Sequence, residues 1–274
     1  MTDIITCVHL PATFWNVKNK IRIDQLLVKR GLLESRETAQ RLILARKILV
    51  NGLPAEKASQ NVAEDASIEV IEGLKYVSRG GLKLEAALDT FAIAVKDKIA
   101  LDVGASTGGF TDCLLQRGAK RIYAVDVGYG QLAWKLRQDS RVVVTERTNA
   151  RYLTVEQFPD PIDLAVVDVS FISALKILQP LVNMTQEAII LLKPQFEAGP
   201  EDVPRGGVIR DPAIHRKVLK DFYRNLQSWK IAGVIDSPIA GASGNREFLV
   251  HLRGSNFEGL SEDDFEKRIE ELTK

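Results

Sequence analysis

The stretch from Lys98 to Gly118, KIALDVGASTGGFTDCLLQRG, constrains the fold of this chain more than any other. It reads as a strand, a glycine-rich turn, and a helix closed by Gly118. The same alternation continues downstream. RIYAVDVG reads as a strand, Gln131–Arg137 as a helix, and RVVVTE and IDLAVVDVS as strands. Leu175–Val182 reads as a helix and AIILLKP as a buried strand. Asp211 caps a helix with Pro212 at its first position, running to about Trp229. AGVIDSPI and NREFLVHL close the pattern. Such alternation predicts an α/β fold, doubly wound and Rossmann-like, with a mainly parallel sheet and helices on both faces.

In such sheets ligands bind beyond the carboxyl ends of the strands. Asp102 and Gly104 close the first strand here, Asp126 the second, Asp168 a later one and Lys193 the next. Ionisable groups at successive strand exits sit in a crevice or are desolvated at a cost. Pro194 ends the strand at Lys193. If the final strand runs antiparallel, its start lies on the same rim and brings Glu247 there. The glycine turn spans Gly104, Ala105, Ser106, Gly108 and Gly109, with Phe110 opening the helix. Asp126 can hydrogen-bond ribose hydroxyls, which fits an adenosine-containing cofactor. The G-x-G-x-x-G spacing and a Walker lysine are both absent, which disfavours NAD and ATP. Lys83 follows Gly80-Gly81 in the first turn of a helix, where a cation opposes the dipole. Each feature also has a plain structural reading. The glycines suit tight helix–sheet packing, Asp126 a strand-end cap, and Lys193 a snorkelling surface charge.

Charge is uneven along the chain. Net charge is only +1, yet Lys18–Gly52 holds nine basic residues against three acids. Helical spacing of Ile23, Leu26 and Leu27, then of Ala39, Leu42 and Ile43 behind a Ser35 cap, predicts two short helices followed by strands. Asn51-Gly52 marks a turn. A basic helical face suits a phosphate backbone, or is simply a solvated surface. Two cysteines, Cys7 and Cys113, and three scattered histidines make neither a disulfide framework nor a zinc pattern, and no metal is expected. No apolar run approaches the ~20 residues of a membrane helix. Residues 1–20 do not read as a signal peptide, so a cytoplasmic location is expected.

RIDQLLVKRGLLESRETAQRLILARKILVNG resembles the RNA-binding domain of the ribosomal-protein S-four type. That resemblance implies RNA contacts from Arg36, Arg41, Arg46 and Lys47, with Arg22. LDVGASTGGFTD resembles the first motif of S-adenosylmethionine-dependent methyltransferases, in the FtsJ-like branch that methylates ribose. Lys83, Asp168, Lys193 and Glu247, in SRGGLKL, VVDVSFIS, LLKPQFE and SGNREF, are similar to its Lys-Asp-Lys-Glu tetrad. Residues 21 to about 253 resemble the TlyA family of rRNA methyltransferases, historically named haemolysins.

The resemblance implies methylation of cytidine 2′-hydroxyls in ribosomal RNA, free or in subunits. Lys193 would activate the hydroxyl, with Asp168 and Glu247 holding the lysines. S-adenosylmethionine would lie on Asp102, Gly104, Ala105, Ser106, Gly108, Gly109, Phe110, Asp126, Asn149 and Asp168. The expected organisation is a tail (1–20), an S-four-type domain (21–73), a linker (74–81), an FtsJ-like methyltransferase domain (82–254) and a charged tail (255–274). The linker is expected to couple RNA docking to cofactor binding. No membrane or protein partner is expected. The rival readings are a haemolysin or cytolysin, and a non-catalytic RNA-binding assembly factor.

Overall fold

The computed structural model describes residues 20–33, 35–70, 75–241 and 243–274. Most of the expected N-terminal tail, with Cys7 and His9, and the first linker residue, Leu74, lie outside them. The chain divides into two compact units, Met1–Gly73 and Leu74–Lys274.

The front unit contains β1 (Lys20–Arg22), α1 (Ile23–Lys29), α2 (Arg36–Leu44), β2 (Ile48–Val50), β3 (Leu53–Pro54), β4 (Asn61–Ala63) and β5 (Ile68–Val70). Its apolar stripes meet in a small core of Ile23, Leu26, Leu27, Ala39, Ile43 and Ile48. Ser35 caps α2 by accepting from the Thr38 N–H at 3.1 Å. Asn51 and Gly52 both take positive φ, 51° and 80°, so they form the expected tight turn between β2 and β3.

The second unit opens with α3 (Gly80–Thr90), β6 (Ile99–Val103), α4 (Gly109–Gln116), β7 (Arg121–Val125), α5 (Trp134–Arg137) and β8 (Val142–Thr145). It continues with β9 (Leu164–Val167), α6 (Ala174–Leu181), β10 (Glu187–Leu192), α7 (Pro194–Glu197) and α8 (Pro212–Asn225). β11 (Trp229–Asp236), β12 (Phe248–Gly254) and α9 (Glu262–Leu272) complete it. Seven strands form one sheet in the order β11-β12-β10-β9-β6-β7-β8. β12 is antiparallel to β10 and β11, and the remaining pairs are parallel.

β6, β9 and most of β10 are buried on both faces because helices cover both sides. Alternate residues divide between the layers. Leu101 and Val103 join one core with α6, α8 and α9, and Ala100 joins the other with α3 and α4.

Two expectations need correction. The helix read as running to Trp229 ends at Asn225. Trp229 instead starts β11, buried, its Nε1–H donating to the Leu178 carbonyl at 3.3 Å. The charged tail is not a tail along its whole length. Residues Glu262–Leu272 form α9, capped by Ser261 and carrying three acids in the first turn, where the helix dipole favours them. Phe265 and Ile269, one turn apart, are buried in the main core, and Phe265 stacks on Tyr223.

Candidate active site

Four strand or helix ends deliver the tetrad residues. Asp168 directly follows β9, and Lys193 follows β10 and caps α7, with Pro194 at its first position. Glu247 immediately precedes β12, and Lys83 sits in the first turn of α3. Because β12 is antiparallel, its start lies on the rim where the parallel strands end.

All four line one cavity of 270 Å³, together with Ser78, Arg79, Gly104–Thr107, Gly109 and Phe110. They form two ion pairs. Lys83 and Glu247, both buried, are hydrogen-bonded. Lys193 Nζ lies 2.6 Å from Asp168 and donates to Ser170 Oγ at 2.9 Å. Removing one partner of a buried pair costs about 3–5 kcal/mol. Pairing therefore explains how Lys83 tolerates both burial and the unfavourable end of a helix. Lys193 is not a snorkelling surface charge, because its ammonium turns back to the carboxylate at the neighbouring strand exit.

A second cavity of 560 Å³ adjoins the first and shares Gly104, Ser106 and Asp168 with it. Asp126 and Asn149 line it. Asp126 accepts from the Ser106 N–H at 2.7 Å and the Gly128 N–H at 2.6 Å, so it caps the strand and faces the cavity at once. Asn149 accepts from the Arg151 N–H at 3.1 Å. Gly104 is required on two counts. Its φ is 86°, and a Cβ there would lie 2.4 Å from the Asp168 carbonyl oxygen. The glycine thus lets the turn pack against the strand exit that carries Asp168.

Two residues assigned to the cofactor lie outside both linings. Gly108 caps α4 at φ 96°, where a Cβ would meet Leu132 and Leu136 side chains. Asp102 is fully buried. It is the penultimate residue of β6, and strand alternation turns it beneath α4. There it accepts from Thr111 Oγ1 at 2.6 Å. Burial, then the nearby Asp168 carboxylate, pushes its carboxyl up to about 7 despite the Thr111 hydrogen bond.

Glu197, at the end of α7, crosslinks this rim. It accepts from Ser173 Oγ at 2.6 Å and from the Ala174 N–H at 2.7 Å, joining the Lys193 segment to the start of α6. Burial raises its pKa above the usual carboxylate range. Sequence reading did not single out Glu197 or Ser170. It also missed Phe171, which is 90% exposed at a φ of 64° and lines the second cavity. The signal available was the run VSFIS between two candidate strand-exit residues. The expected linker is not a free connector over its described part. Tyr76 is buried against Gly81, the Val77 N–H donates to Asp112, and Gly80-Gly81 already belong to α3.

In the front unit, Arg22 and Arg36 both hold the buried Asp24, at 2.9 and 3.0 Å. The Arg22 hydrogen bond holds that carboxyl well below its usual range, with Arg36 and Gln40 helping. Arg22 and Arg36 therefore fasten the domain, although both stay partly exposed. The Arg41 and Arg46 side chains are exposed, Lys47 is half-buried, and all three point to no protein partner among the described residues.

A family model described as FtsJ-like methyltransferase matches residues 76–254, and one described as S4 domain matches residues 21–68. The 16S/23S rRNA (cytidine-2′-O)-methyltransferase TlyA of Mycobacterium tuberculosis is 45% identical over 257 residues, covering 91% of this chain and 96% of that one. The chain belongs to the TlyA family. Another TlyA relative, the 23S rRNA (cytidine-2′-O)-methyltransferase of Campylobacter jejuni, is 35% identical over 84% of this chain and 98% of its own. Hemolysin A of Brachyspira hyodysenteriae is 45% identical over 85% of this chain and 99% of its own. A solved structure from Streptococcus thermophilus, provisionally described as a hemolysin, superposes with a TM-score of 0.71 at 41% identity, covering 94% of this chain and 95% of that one. Among the described residues no helix is long and apolar enough to cross a membrane.

Proposed function

We propose that this chain transfers a methyl group from S-adenosylmethionine to the 2′-hydroxyl of cytidine in ribosomal RNA. The observation that carries the reading is the convergence of two lysine–carboxylate pairs on one cavity beside the glycine turn. The relatives named as cytidine-2′-O-methyltransferases support the substrate. Neither lysis nor a non-catalytic assembly role calls for such a cavity.

The residues suit the cofactor. Asp126 and Asn149 would hold its adenosine end in the larger cavity, and Gly104–Ser106, Gly109 and Phe110 would hold its methionine end. When bound, S-adenosylmethionine supplies an activated methyl group on a sulfonium. The protein's task is then the nucleophile, because a ribose hydroxyl is scarcely ionised at neutral pH. The Lys193 ammonium, held by Asp168 and Ser170, stabilises negative charge on the 2′-oxygen as its proton passes to solvent water. Lys83, fixed by Glu247, adds a second positive group to the same cavity wall. Asp168 borders both cavities and so sets the lysine against the cofactor's position.

The test is transfer of labelled methyl from S-adenosylmethionine to ribosomal RNA and subunits from a strain lacking the gene. Mapping should place label on cytidine 2′-oxygens. Cofactor binding without incorporation into any of these RNAs would overturn the proposal.

A further inference from the structure

Residues 74–274 contain fourteen arginines. Eleven touch an acid, a backbone or side-chain oxygen, or an aromatic ring. Among the described residues the side chains of Arg79, Arg205 and Arg210 do not, and no other side-chain contact engages them. Arg79 already lines the catalytic cavity. Arg205 and Arg210 lie on the segment 199–211 between α7 and α8, and both are exposed.

That segment is pinned on either side of each arginine. Before Arg205, Asp202 is salt-bridged to Lys217 at 2.7 Å. Between the two, the buried Asn245 accepts from the Ile209 N–H at 3.0 Å and donates to the Gly207 carbonyl at 2.8 Å. Ile209 itself is buried. After Arg210, Asp211 caps α8 through the Ala213 N–H at 2.8 Å. Asn245 stands two residues before Glu247, so the pins tie the segment to the catalytic rim. Two of the segment's acids are spent on these contacts, leaving Glu201. A pinned backbone that carries two unpaired guanidiniums and is bonded to Asn245, two residues from Glu247, is what a polyanion needs. Arginine suits phosphate through bidentate hydrogen bonding.

We propose that Arg205 and Arg210 form a phosphate-binding site for the RNA strand that enters the catalytic cavity. The proposal rests on the reading of this chain as an RNA methyltransferase. The site positions the target nucleotide's backbone and carries no base information.

The experiment compares the full chain with Arg205→Gln/Arg210→Gln and Arg205→Lys/Arg210→Lys. Ribosomal RNA binding and methyl transfer are both measured over a range of salt. For the glutamine pair, RNA affinity should fall about tenfold at moderate salt. Its log affinity against log salt should be shallower by roughly one to two units, as expected for lost phosphate contacts. Cofactor affinity should stay unchanged, and the lysine pair should keep most of the affinity and slope. If the glutamine pair binds RNA with wild-type affinity and slope, the site does not exist. If it loses affinity but the lysine pair loses as much with no slope change, the role is structural and the proposal falls. Wild-type protein that binds RNA without methylating it would overturn the catalytic reading alone, because the binding comparison still judges the arginines.

Discussion

Lys193 shows how much one residue's neighbours decide. Sequence alone leaves it between a surface charge and a reacting group, and the contacts with Asp168 and Ser170 place it in the cavity. Replacing Lys193 with alanine should lower turnover at least about 100-fold, the scale of a lost proton-handling or charge-stabilising group. Cofactor affinity by calorimetry should stay within about twofold, and circular dichroism should match wild type. Near-normal turnover would remove Lys193 from the chemistry. Asp102 makes a different prediction. Its folded pKa, about 7, lies above the ordinary value of 3.8, so the protonated form is favoured by folding. The associated stability is fully present below the ordinary value and is lost as pH rises through about 7. Asp102→Asn cannot ionise. Between pH 5 and pH 8, wild type should lose of order 1–3 kcal/mol relative to the variant in urea unfolding. Parallel stability profiles for the two proteins would contradict the assignment.

At the scale of elements, α7 is four residues long and could not hold Lys193 by itself. Glu197 supplies the support by bonding Ser173 and the Ala174 N–H at the start of α6. Glu197→Ala should cost about 1–2 kcal/mol, as a lost helix cap does, and lower turnover by loosening the Lys193–Asp168 geometry. Glu197→Gln should recover part of both, since its amide oxygen still accepts from Ala174. Thermal unfolding beside steady-state kinetics tests this, and an alanine variant matching wild type in both refutes it. The strand exits were legible because short continuous apolar runs and glycine turns are local signals. The Lys83–Glu247 contact spans 164 residues, and no local periodicity encodes such a pairing; only the motif resemblance joined the two. Asp102 lies beneath α4 rather than in either cavity lining, because successive strand residues face opposite layers and the sequence alone left open which one reaches the rim. In α9, six acids and two bases among eleven residues hid the Phe265–Ile269 stripe.

At the scale of the whole chain, the S4 domain proposed to dock RNA and the FtsJ-like domain proposed to carry methyl transfer are separate compact units with separate cores. Within the front unit the structure sorts the basic residues by role. Arg22 and Arg36 satisfy a buried carboxylate, and replacing them leaves Asp24 uncompensated. Such variants would confuse misfolding with lost RNA binding. Arg41, Arg46 and Lys47 have no such duty, so their neutralisation should spare the fold. Arg41→Gln/Arg46→Gln/Lys47→Gln should raise the Michaelis constant for ribosomal RNA by about tenfold or more and flatten its salt dependence. Cofactor affinity should be unaffected, because Asp126, Asn149 and the glycine turn belong wholly to the second unit. The maximal rate at saturating RNA should also persist, since the tetrad is untouched. A fall in maximal rate with an unchanged Michaelis constant would mean that these three residues act on the chemical step rather than on docking, and the division of labour between the units would then be wrong.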